Sequence, residues 1–203
     1  MVVIFDLENV LTETGVCRFS AWKEMAREQG IQYDEGLDSQ LQGLERETRL
    51  QGILNRAHRS YSAAERMALL ARQADLEDEM LNRLGEQALR PGAVHMLHAL
   101  KKRGVSLGAV MTDGMPGRLL GDLSVRSMFR VISRREDLLS QLSDVQLRLE
   151  APPGECLLVT AWPSSAKAAR SLGMQALLCG HTDDLTVVLQ QIVAVMPDFE
   201  QQN

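Results

Sequence analysis

The order of hydrophobic patterns along the chain admits few architectures. Residues 2 to 6, VVIFD, form a short apolar run that reads as a buried strand, and residues 15 to about 90 carry helical periodicity without a second strand. Phe19, Trp22 and the Met25/Ala26 pair recur at helical spacing and stop at Gly30, and ERETRLQGILNRAH, SAAERMALLARQ and LEDEMLNRLGEQAL continue the pattern. After Pro91-Gly92 the texture turns to alternation. A helix over 92–103 closes on Lys101, Lys102, Arg103 and Gly104, and a strand VSLGAVMT comes after it. Next come a short helix after Pro116, a strand FRVIS, a helix over roughly 136–149, a strand CLLVTA, a helix SSAKAARSLG, a strand MQALLC and a closing helix. Such alternation builds a parallel sheet covered on both faces, and the first strand must join it. The expected fold is therefore α/β: a Rossmann-like parallel-sheet core of residues 1–14 and 91–203, with residues 15–90 inserted as an all-α domain.

Composition narrows the function classes. With 203 residues and 45% hydrophobic content the chain can bury a substantial core. A net charge of -5 without a basic stripe gives no electrostatic footprint for nucleic acid or an anionic membrane surface. Cys17, Cys156 and Cys179 lack metal-ligand spacing, and the latter two sit in the apolar runs ECLLV and ALLCG, which suits reduced, buried thiols. The N-terminal apolar run is too short for a signal peptide or a spanning helix, so a soluble, cytoplasmic protein is expected.

Asp6 and Glu8 are the residues that ask for a chemical explanation. Two residues apart on an extended backbone, they project to one side at the carboxyl end of the first strand, where open α/β sheets bind ligands. Like charges held together there call for a metal ion or a transferred phosphoryl group. Other candidates have plainer explanations. His95 and His98, three apart on one helix, lack a third ligand and suit a solvated helix face. His181 comes after the last strand, ahead of Thr182 as an expected helix cap, with Asp183 and Asp184 in a first turn where negative charge suits the dipole. The ten methionines serve as core filler.

FDLENVLTET, RFSAWKEMAREQGI and LQGLERETRLQGIL together resemble the haloacid dehalogenase superfamily, and within it the β-phosphoglucomutase-like group with a helical cap. The likeness spans nearly the whole chain. It implies that Asp6 attacks a phosphoryl group, that Glu8 serves as general acid and base, and that both sit by a Mg²⁺ ion. It also implies a hydroxyl at the end of the next core strand, here Thr112, with Asp113, Gly114 and Gly117 in the phosphate-binding turn. In the cap it implies that Gly43 and Arg46 hold a sugar phosphate, with Arg18 in the place of a histidine, Gln73 in that of a lysine and Trp22 in that of an aromatic. For Trp22, plain core packing is the alternative. The ligand implied is a small phosphorylated metabolite such as a sugar phosphate.

Two elements of the resemblance are replaced. Where the group carries a charge-neutralising lysine this chain has Glu136, with Arg134 or Arg135 as the nearby cations; where it carries metal-binding acids this chain has Thr160 and Ala161, then Trp162-Pro163. Phosphoryl transfer rests on positioning and charge neutralisation, and one cationic element at such a site is worth about 10³–10⁵ in rate. The expectation is a phosphoryl-transfer protein with a degenerate metal and lysine site and impaired catalysis, using Mg²⁺ if active and otherwise no cofactor. Two alternatives stand beside it. One is an active Mg²⁺-dependent phosphatase or β-phosphoglucomutase with substituted ligands. The other is a non-catalytic protein that binds a phosphorylated ligand or a protein partner, with Trp162 filling the emptied metal pocket.

Overall fold

The computed structural model describes residues 1–8, 10–41, 44–111, 123–135, 137–180 and 182–196. The chain divides into two compact units, Met1–Glu13 with Gly85–Asn203, and Thr14–Leu84. The division therefore falls at Leu84/Gly85, earlier than the expected residue 90, because Ala88 and Arg90 bond to the segment that leaves the first strand. The Glu13 N–H donates to Ala88 O at 2.8 Å and the Arg90 N–H to Leu11 O at 2.9 Å.

In the first unit the described strands form one parallel sheet in the order β3-β2-β1-β4-β5, with β1 Val2–Asp6, β2 Ser106–Val110, β3 Val131–Ile132, β4 Cys156–Thr160 and β5 Gln175–Leu178. VVIFD occupies the centre because every one of its residues is buried, as a strand covered on both faces must be. The crossovers are α5 (Ala93–Lys102), α6 (Leu138–Arg148) and α7 (Pro163–Ser171), and α8 (Leu185–Ala194) closes the unit. Val2, Ile4, Val110 and Leu158 from three strands pack with Leu142 and Val145 of α6. Gly108 permits that approach, since a Cβ there would collide with Val145. The short helix expected after Pro116 lies outside the described residues.

The second unit is helical throughout its described elements: α1 Gly15–Glu28, α2 Glu35–Leu41, α3 Arg46–Leu54 and α4 Ala63–Leu84. Its core gathers Trp22, Met25, Leu37, Leu50, Ile53, Leu69 and Leu76, the apolar stripes that the periodicity predicts. Gly30 ends α1 with φ 69°, the left-handed conformation in which a helix commonly stops. Arg49 is buried and holds the end of α2, donating to Leu41 O at 3.1 and 3.2 Å with Asp38 at 3.5 Å.

Candidate functional site

The parallel register fixes what surrounds Asp6. Asp6 ends β1 beside Val110 of β2, and the pairing of Phe5 with Val159 sets Thr160 next to it on the other flank. Asp6 and Thr160 are fully buried. The Thr160 hydroxyl donates to Asp6 Oδ2 at 2.9 Å, and its oxygen accepts from the Trp162 N–H at 3.1 Å, which leaves the hydroxyl proton aimed at the carboxylate. Glu8 is 1% exposed and forms a bridge with Thr12, in a tight turn where the Leu11 and Thr12 N–H groups and the Thr12 hydroxyl all donate to Leu7 O. The two carboxylates thus both lie in the interior at the carboxyl end of β1.

A magnesium ion requires a near-octahedral set of hard oxygen ligands. At Asp6 the hydroxyl of Thr160 donates to the oxygen that a cation would compete for, and Ala161 brings no side-chain oxygen. Among the described residues no cluster of three or more His, Cys, Asp or Glu side chains could hold a metal ion. Asp6 and Glu8 stand at the carboxyl end of β1 as carboxylates, whereas Thr160 and Ala161 at the end of β4 bring none. Thr112, Asp113, Gly114 and Gly117, Glu136 and, in the helical unit, Gly43 lie outside the described residues.

Arg134 and Arg135 are exposed in the segment after β3, and Arg135 reaches Asp144 at 3.5 Å. Two further residues organise this end of the sheet, and no local pattern announced them. Buried Gln141 acts as a false strand: its Oε1 accepts from the Met111 N–H at 2.7 Å, while its Nε2 donates to Met111 O at 2.9 Å and Arg135 O at 3.0 Å. It joins the residue before Thr112 to the residue before Glu136. Arg90, also buried, donates to Val10 O at 3.0 Å and Asp183 O at 2.6 Å, with Cys179 Sγ at 3.8 Å and Glu13 at 3.8 Å. Burial pushes the Cys179 thiol up, against the opposing pull of Arg90. The only signal for either was a long polar side chain within an otherwise apolar or turn segment, which one sequence does not separate from a surface residue.

Within the helical unit, Arg18, Arg46 and Gln73 come together. Gln73 is fully buried, accepts from Arg46 and donates to Glu77 Oε2 at 2.7 Å, while Arg18 Nε lies 3.5 Å from Glu77 Oε1. Trp22, 1% exposed, sits in the core of this unit, which matches the packing alternative. His95 and His98 lie on the exposed face of α5. The cap of α8 is Asp184, which accepts from the Thr186 N–H at 2.7 Å, and not the expected Thr182. Asp183 belongs to the turn before it, accepting from the Gly180 N–H. An aspartate one residue from the helix satisfies the orphan N–H groups and the dipole together, and so fixes the start of the helix later.

No protein-family model matches the chain. A β-phosphoglucomutase of Bacillus subtilis (strain 168) is 27% identical to it over 187 residues, covering 88% of this chain and 83% of the relative. A β-phosphoglucomutase from Clostridium difficile has the same fold, with a TM-score of 0.70 at 17% identity over 95% of this chain and 98% of that one. A haloacid dehalogenase-like hydrolase from Streptococcus pneumoniae gives 0.71 at 14% identity over 95% and 96%. The chain thus has a haloacid dehalogenase-like fold, as its sequence motifs indicated. Within that class its likeness is to the β-phosphoglucomutase-like group of phosphatases and phosphomutases.

Proposed function

We propose that this chain takes a small phosphorylated ligand, such as a sugar phosphate, at the carboxyl end of β1, with Asp6 kept as the family's carboxylate but with impaired phosphoryl transfer. The observation that carries this reading is the Trp162 N–H to Thr160 hydroxyl to Asp6 chain of hydrogen bonds. A carboxylate holding a donated proton is a weaker nucleophile, and a hydroxyl in place of an acid removes negative charge that a divalent ion needs. Asp6 and Glu8, with Thr112, Asp113, Gly114 and Arg134 toward the phosphoryl group, are the residues assigned to the core site. Arg18, Gly43 and Arg46 are those assigned to the helical unit. If the protein turns over at all, Asp6 and Glu8 would hold Mg²⁺, which would neutralise the phosphoryl oxygens.

Turnover of p-nitrophenyl phosphate and glucose phosphates, measured with and without Mg²⁺, tests the proposal. The expected rate is about 10³-fold or more below that of an intact β-phosphoglucomutase, given what single charge-neutralising elements contribute. Calorimetry should still detect a glucose phosphate. The double substitution Thr160→Glu with Ala161→Asp should raise Mg²⁺-dependent turnover. A wild-type rate comparable with the intact enzyme would overturn the impaired reading in favour of ordinary catalysis.

A further inference from the structure

Within the helical unit, α3 and α4 leave between them an open groove of about 520 Å³. Buried Leu50 and half-buried Leu70 line it, Glu47 and Thr48 edge it from α3, and Arg66 and Met67 edge it from α4. Met67 is 72% exposed. It belongs to a face of α4, opposite the buried Leu69, Gln73 and Leu76, on which Ala64, Ala68 and Ala71 are exposed as well, so that two turns of the helix meet solvent without a charge. One exposed methionine is ordinary surface; beside a groove lined by leucines, on an uncharged helix face, it is part of an apolar patch.

The same helix is electrically polarised along its length. Residues 63–72 carry Arg66 and Arg72 against Glu65, a formal +1, whereas residues 73–84 carry Asp75, Glu77, Asp78 and Glu79 against Arg83, a formal -3. Several of these charges already have partners: Arg59 holds Glu65 at 2.6 Å, Glu28 holds Arg72 at 2.7 Å, and Arg83 holds Glu79 at 2.5 Å. Arg66 is exposed and donates from one nitrogen to Tyr61 O at 3.0 Å, and Asp75 is exposed on the acidic half. We infer that this face of α4, with the groove beside it, is the contact through which two copies of the chain pair, α4 of one lying antiparallel to α4 of the other.

The charge order chooses this occupant over others. A basic or an acidic partner of another kind would match one half of α4 and oppose the other, whereas an inverted copy of the helix matches both. A two-fold axis crossing α4 between Leu70 and Ala71 sets Arg66 of each copy opposite Asp75 of the other, and the patch becomes self-complementary, as an isologous interface requires. The alanines let the two helix axes approach closely, and each Met67 gains an apolar neighbour in place of water. Exposed ion pairs at the rim set the direction of pairing more than its strength.

Sedimentation equilibrium of the full chain over a range of concentrations, at low and at high salt, tests the inference. Wild type should show a monomer–dimer equilibrium that weakens as salt screens the rim. Ala71→Asp puts a charge at the centre of the pair and should weaken the dimer about tenfold or more. Arg66→Glu and Asp75→Arg should each weaken it by about threefold to tenfold, and an equimolar mixture of those two variants should regain the wild-type association, since each contact then joins opposite charges again. All three positions are exposed, and thermal melting confirms that each variant is folded. A wild type that stays monomeric at every concentration, a dimer that withstands Ala71→Asp, or a mixture that associates no better than its two components overturns the inference.

Discussion

At the scale of single residues, the register of two parallel strands decides the character of the site. Thr160 reaches Asp6 only because β4 lies beside β1 with Val159 opposite Phe5. Thr160→Val keeps the shape and removes the hydroxyl, leaving Asp6 Oδ2 without that donor and the Trp162 N–H without that acceptor. Loss of buried partners of this kind costs about 1–3 kcal/mol. Urea denaturation should show that loss, and a change below about 0.5 kcal/mol would mean that the bond adds nothing. Glu28 offers a pH test in the helical unit. The Arg72 hydrogen bond, ahead of the opposing effect of burial, holds the Glu28 carboxyl below the usual glutamate range. Its folded value is depressed, so the stability it contributes is present above the unfolded value, about 4.3, and is lost as pH falls through the folded value. The pair is partly exposed, with 46% and 28% of its side chains open, so no more than about 1 kcal/mol is expected after solvent screening. The stability difference between wild type and Glu28→Gln should therefore be seen at neutral pH and vanish in acid; a difference that persisted at pH 2 would count against the assignment.

At the scale of elements, three long polar side chains stand in for missing backbone partners. Gln141 completes the hydrogen bonding of β2 past its last ladder residue, Arg90 gathers the exits of β1 and β5, and Arg49 caps α2. Replacing Gln141 by Leu satisfies the apolar surroundings but strands the Met111 N–H and two carbonyls. The loss should be about 2–4 kcal/mol, with faster hydrogen exchange at the Met111 amide than elsewhere in β2. Gln141→Leu with wild-type stability and protection would show the clamp to be incidental. Helix and strand types were legible in sequence because each apolar stripe keeps its period: α1, α4, β1 and β4 lie where the patterns put them. The start of α8 was not, because Thr182, Asp183 and Asp184 can each cap a helix and only the packing of Leu185 and Val188 chooses among them.

At the scale of the whole molecule, the fold and its class came from the order of patterns, and the state of the site did not. If the core site lacks a working cation set, 1 mM Mg²⁺ should stabilise wild type by less than about 0.4 kcal/mol, the linkage value for a dissociation constant at or above 1 mM. The Thr160→Glu, Ala161→Asp variant should respond more strongly, and differential scanning calorimetry reads both. A wild-type shift of several degrees would establish a cation site built from other groups. Sequence alone determined a central strand ending in Asp6, an inserted helical unit and the likeness to the β-phosphoglucomutase-like group, because periodicity and local motifs are written in neighbouring residues. Only the tertiary structure decided that Thr160 donates to Asp6, that Gln141 replaces a strand, and that Glu77 stands between Arg18 and the amide holding Arg46. Each joins residues far apart in the chain, and hydrogen bonds of that kind depend on register and packing, which no local pattern encodes.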